Sequence, residues 1–140
     1  MRLVWRKLAP GEFNYELVWL AVSVAAAVGG AIWLRLGLPM PHCPFLAITG
    51  YPCLTCGATR CSMALLHGSF SAAWLWNPLA FVTLCGLALY DLYAAIVLLG
   101  GLPRARLVDW TAREKTAVRI GVVALIVVNW VYLLAHRGRF

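Results

Sequence analysis

The sequence predicts an all-α membrane protein: three transmembrane helices, and a short interfacial or re-entrant helix after a cysteine-rich loop. Three observations carry that prediction. Hydrophobic residues make up 63% of the 140 residues and charged residues only 12%, about half the charged share of a soluble domain. A chain this short forms one domain, here 1–140, and cannot hide so much apolar surface in a core of its own, so lipid is its natural solvent. The apolar residues also fall into three runs, near 17–34, 79–99 and 118–135, each close to a spanning length. Four of the five cysteines lie between the first two runs, within the segment 40–68.

Leu17 to Leu34 is uncharged, and Asn14 is placed to cap it. Ala21, Ala25 and Gly29 recur every four residues, as do Ala26 and Gly30, a small-residue stripe that lets another helix approach closely. Pro39, Pro41 and Pro44 then interrupt any helix, so Arg35 to Tyr51 reads as loop. Ala58 to His67 reads as a helix too short to span, with Thr55 as its candidate cap and Gly68 as its stop. Ser71 to Trp76 reads as another short interfacial turn. The second span opens at Asn77-Pro78 and closes at Gly100-Gly101 and Pro103. Thr111 and Glu114 have capping-box spacing at the start of the third. Trp33, Trp74 and Trp76 fall near the ends of runs, as in an aromatic belt. The first apolar run has spanning length and lacks a convincing A-x-A cleavage site, so Met1 is expected to persist.

The net charge of +7 comes from basic residues scattered beside apolar runs, a pattern suited to lipid headgroups rather than nucleic acid. Arg2, Arg6, Lys7, Arg104, Arg106, Arg113, Lys115 and Arg119 stand on one side of the three spans. Arg35, Arg60, Arg137 and Arg139 stand on the other. The richer side is cytoplasmic by the positive-inside rule, so the N-terminus is expected inside and the cysteine segment outside.

Cys43, Cys53, Cys56 and Cys61 are the strongest chemical signal. Cys53-Leu-Thr-Cys56 is a C-x-x-C, whose thiols can close a disulfide or grip a metal. Three readings stay open: a structural disulfide from Cys43 to Cys53 or Cys56, or plain thiols; a redox pair of Cys53 and Cys56; and a metal or cluster site on Cys43, Cys53 and Cys56. Cys61, His42 and His67 are possible further ligands. Cys43, Cys53 and Cys56 are expected to converge, with Cys61 peripheral or facing lipid. Cys85, alone in the second span, reads as a small hydrophobe. Thr59 and Arg60, on the first turn of the short helix, suit a lipid headgroup or another anion. Asp91 and Asn129 are polar residues inside spans, estimated at roughly 12 and 14 Å from the inner ends, and are expected to meet or to face the same partner.

Cys43-Pro44-Phe45, Thr49-Gly50, Cys53-x-x-Cys56-Gly57-x-Thr59-Arg60 and Asn77-Pro78 together resemble the small bacterial membrane proteins catalogued as domain of unknown function 2752. The resemblance covers about residues 40 to 80 by motif. Leu54 stands where that family usually has Pro, and Cys61 where a small residue is common. The resemblance implies a multi-pass protein of the bacterial cytoplasmic (inner) membrane. It implies no reaction.

No Ser–His–Asp arrangement, paired carboxylates, H-E-x-x-H or phosphate loop is visible, so the sequence leans against an enzyme. The leading expectation is a small non-catalytic accessory or assembly subunit of a larger membrane complex, its partners being the bilayer and other membrane subunits. The alternatives are a membrane thiol–disulfide redox protein and a metal- or cofactor-binding membrane protein. No cofactor is required; a metal at the cysteine segment is the one candidate.

Overall fold

The computed structural model describes residues 2–7, 11–39 and 43–140. Helix dominates. α1 (Tyr15–Arg35), α5 (Pro78–Gly100) and α6 (Ala112–Ala135) are long and apolar enough to cross a membrane. Between α1 and α5 lie three short helices, α2 (Pro44–Thr49), α3 (Ala58–Leu66) and α4 (Phe70–Trp76). Two strands, β1 (Arg2–Arg6) and β2 (Arg104–Val108), and a final 3₁₀ turn (Arg137–Arg139) complete the chain. Hardly any of the side chains in the long helices are buried against the rest of the chain. Their apolar surface belongs in a bilayer, and the protein is a multi-pass membrane protein.

The short elements depart from expectation in three places. Within the stretch read as loop, Pro44 starts α2 rather than breaking a helix, because the first helical position needs no N–H. Cys43 caps that helix, its sulfur accepting from Leu46 N–H at 3.4 Å. Gly57, not Thr55, precedes α3, with a left-handed φ of +80°. The helical fold is also joined by a ribbon that no local pattern announces.

The chain divides into two compact units. The first comprises Met1–Met40 and Leu87–Glu114. Here β1 and β2 pair antiparallel, from Arg2 opposite Val108 to Arg6 opposite Arg104. The ribbon is tied to the first turn of α1. Glu16, only 1% exposed, accepts from Arg104 at 3.2 Å and from Arg106 at 3.1 Å. Arg104 also donates to Asn14 Oδ1 at 3.0 Å, while that same oxygen caps α1 by accepting from Leu17 N–H at 3.1 Å. Arg106 lies over the Tyr15 ring, and Ala105 N–H donates to the Tyr93 hydroxyl. A carboxylate this buried is tolerable only because two guanidiniums neutralise it. The capping box at the start of α6 forms as expected: Thr111 N–H donates to Glu114 Oε2, and Glu114 N–H to Thr111 Oγ1.

The second unit comprises Pro41–Gly86 and Lys115–Phe140. It holds α2, α3, α4, the first turns of α5 and most of α6. Asn77 starts α5 and is itself 1% exposed. Its Oδ1 accepts from Ala80 N–H at 3.0 Å, which caps the helix. Leu79 N–H, another orphan donor of that helix start, reaches Asn129 Oδ1 on α6 at 3.0 Å. Tyr132 donates to Leu75 O.

Candidate functional site

The cysteine turn is built from short-range hydrogen bonds and then locked from outside. Cys56 N–H donates to Cys53 O, and Ala58 N–H to Thr55 O. Gly57 then reverses the chain into α3. A Cβ there would meet Trp76 O at 2.8 Å and a Phe140 ring carbon at 2.9 Å, so a hydrogen atom is all that fits. The amide of Asn77 donates to Leu54 O at 3.2 Å and to Cys56 O at 3.0 Å. Trp130 Nε1–H donates to Pro52 O at 3.1 Å. One asparagine therefore both caps α5 and clamps the turn, which gives the joint presence of Cys-x-x-Cys-Gly and Asn-Pro a physical reason.

Cys43, Cys53 and Cys56 converge. Their three sulfurs lie within 4.8 Å of one another. Cys53 stands between the other two, 3.3 Å from Cys43 and 3.4 Å from Cys56. All three are free thiols; Cys56 is buried and the other two half-buried. Sulfur receives further donors: Cys53 N–H points at Cys56 Sγ at 3.2 Å, and the Thr55 hydroxyl lies 3.3 Å from Cys53 Sγ. Burial opposes ionisation of Cys53, but hydrogen bonds from Thr55, Cys43 and Cys56 together outweigh it and bring its thiol down to about 7. Burial, followed by the bonds to Cys53 and Cys43, pushes Cys56 up to about 12. Cys53 therefore ionises before Cys56.

At 3.3 and 3.4 Å the sulfurs are in hydrogen-bond contact, between the spacings that two other chemistries set. A disulfide needs about 2.05 Å between sulfurs. Thiolates on a tetrahedral zinc, with bonds near 2.3 Å, sit about 3.8 Å apart. The sulfurs at 3.3 and 3.4 Å are about half an ångström from the metal geometry and more than twice that from the covalent one.

The other candidates separate from this centre. Cys61 is fully buried on α3 rather than facing lipid, and it is not among the converging sulfurs. Its thiol is pushed up by burial and then by nearby Cys85. His67 is turned to Met63 O at 2.7 Å, and His42 lies outside the described residues. Thr59 and Arg60 are exposed on α3. Arg60 lies 4.6 Å from the centre of the Trp76 ring and donates to Arg139 O at 3.0 Å. Asn129 uses its carbonyl oxygen on Leu79, whereas Asp91 sits twelve residues, about 18 Å, further along α5. The expected Asp91–Asn129 meeting placed Asn129 too deep by counting from Ile120. α6 ends at Ala135, six residues past Asn129, so Asn129 belongs near the cysteine end of the helix. Asp91 Oδ1 and Asn129 Nδ2 are both buried and unbonded among the described residues.

Sequence reasoning missed Glu16, Arg104 and Arg106 as a buried cluster, and Trp130 and the second role of Asn77 as clamps. The first pairing joins residues about ninety positions apart, and nothing local signals it. Asn-Pro before a span did signal Asn77, but only as a cap.

Residues 43–90 match the model of a family described as protein of unknown function (DUF2752). This is the family that the motif resembles, and the match takes in the three converging cysteines, Gly57, Arg60 and Asn77-Pro78. Neither a curated protein nor a solved structure gives a match.

Proposed function

We propose that this protein is a non-catalytic membrane scaffold whose Cys43, Cys53 and Cys56 hold one thiophilic metal ion, zinc in the first instance. We further propose that it serves as an accessory or assembly subunit of a larger complex in the bacterial cytoplasmic membrane. The observation that carries the metal reading is the convergence of three free thiols at separations nearer to a metal-thiolate site than to a disulfide. Soft thiolates select zinc-class ions, and backbone N–H groups aimed at sulfur support the negative charge that ligation requires. Three protein thiolates leave a fourth position for water or a partner's side chain. The metal would pin the turn that Asn77 and Trp130 already clamp. The accessory reading is supported by long helices that present nearly all their side chains outward.

Gentle detergent purification followed by elemental analysis tests the metal. One equivalent per chain is expected, lost in Cys43→Ser, Cys53→Ser and Cys56→Ser alike. Absence of stoichiometric metal from protein with three free thiols would end this reading. Co-purification with defined membrane subunits tests the accessory role. The N-terminus is proposed to be cytoplasmic and the cysteine segment external. A periplasm-active reporter fused after Gly68 should work and one after Arg106 should not; the reverse pattern inverts the protein.

One observation favours a second reading, thiol–disulfide exchange: the Cys53 thiol, brought down to about 7, has a sulfur on either side at 3.3 and 3.4 Å. Cys53 thiolate would attack a partner protein's disulfide, forming a mixed disulfide and expelling one partner thiolate. Cys56 or Cys43, as thiolate, would then attack the Cys53 sulfur, close an internal disulfide and release the reduced partner. Replacing Cys43 and Cys56 together by Ser should then trap the mixed disulfide.

A further inference from the structure

We propose that Arg60, Arg137 and Arg139 form a recognition site for a phosphate-bearing anion, in the first instance the headgroup of an anionic phospholipid. The unit that holds them contains no Asp or Glu, while its cations are Arg60, Lys115, Arg119, Arg137 and Arg139. No Asp or Glu side chain of this unit therefore satisfies these guanidiniums. Each is instead held by neutral groups. Among the described residues, Arg60 donates once, to Arg139 O at 3.0 Å, with its guanidinium carbon over the Trp76 ring. Among them Arg139 likewise donates once, to Leu75 O at 3.3 Å. Arg137 lies 5.9 Å from the centre of the Tyr51 ring. A guanidinium has five N–H donors, so these contacts fix three forks and leave most donors unspent. Aromatic faces orient the cations without neutralising them.

A second, independent observation is the fold of the tail. Arginines that merely reach towards headgroups need no ordered partner. Here the 3₁₀ turn brings the chain back, with the Phe140 ring 6.2 Å from Trp76 and close to Gly57. That return places Arg139 beside Arg60 and fixes the tail at the end of α6, where the span stops at Ala135. Tyr51, Trp76 and Phe140 give the site an aromatic border suited to headgroup depth. A phosphate offers oxygens in several directions, and several fork donors can engage it at once. This assignment stands apart from the metal reading, since none of the three arginines bonds to a cysteine side chain among the described residues.

The test uses the purified full chain in neutral detergent, titrated with dioctanoyl phosphatidylglycerol, with dioctanoylglycerol, which lacks the phosphate, and with inorganic phosphate. Thermal unfolding and apparent Kd are read at low and high salt. Saturable, salt-weakened binding of phosphatidylglycerol but not of dioctanoylglycerol is expected. Each guanidinium removed should weaken it about three- to ten-fold. Inorganic phosphate binding with the same arginine dependence would identify free phosphate as an equal source. Arg137→Gln removes only an exposed group resting on a ring, so its folding is not at stake, and Arg60→Lys keeps the charge while losing the fork. Metal content, measured alongside, should not change. The site is refuted by binding that is indifferent to Arg137→Gln, by equal binding of dioctanoylglycerol, or by no saturable binding of either phosphate.

Discussion

The two compact units meet the same problem, polar groups next to a bilayer, with opposite chemistry. The first contains every Asp and Glu (Glu12, Glu16, Asp91, Asp109 and Glu114) and no cysteine. The second contains all five cysteines and neither Asp nor Glu. In the first, a buried charge is neutralised by two others, as Glu16 is by Arg104 and Arg106. In the second, neutral amide, indole and hydroxyl donors meet backbone carbonyls. The first arrangement is all-or-none, because removing one partner strands the rest. The second is spread over several modest bonds and should fail in steps.

The largest effect is expected where charge is most buried. Glu16→Gln leaves two guanidiniums facing each other with little water, and should cost about 3–5 kcal/mol, read as a lower unfolding temperature and yield. A melt unchanged from wild type would dissolve the contrast between the units. Asn77→Ala, which removes one acceptor and two donors at a buried point, should cost about 2–3 kcal/mol. It should also loosen the cysteine turn, seen as faster alkylation of Cys56. Gly57→Ala must adopt a left-handed φ of +80° and crowd Trp76 O, for a loss of about 1–2 kcal/mol; an equal loss on changing Gly68, which has open space, would show that only backbone conformation matters. The smallest effect leaves stability aside. In metal-free protein the Cys53 thiolate is present above about pH 7 and lost below it, so its alkylation should rise through that pH. Cys56, held up to about 12, should stay inert through neutral pH. Two cysteines reacting in parallel would remove the asymmetry assigned to the trio.

What the sequence made legible follows from range. The three long helices were readable because an apolar run of spanning length has few other uses. The Thr111–Glu114 box and the Asn14 cap were readable because their bonds span three residues. The convergence of Cys43 with Cys53 and Cys56 was within reach because ten residues containing a turn can bring their ends together. The ribbon was not, because β1 and β2 are basic segments about a hundred residues apart, and each reads alone as a membrane flank. The α2 helix was hidden by prolines that mark a break and a first turn equally. Asn129 was misplaced because composition shows where a run is apolar and not where its helix ends.

The bond from Trp130 to Pro52 and that from Leu79 to Asn129 also impose an order on biogenesis. A ribosome delivers the cysteine turn and the start of α5 well before the last helix. Until residues 129 and 130 emerge and insert, Pro52 O and Leu79 N–H lack these partners. The thiol centre is therefore completed by α6, which is made later than the turn it locks. A chain cut short before residue 129 would lack both bonds.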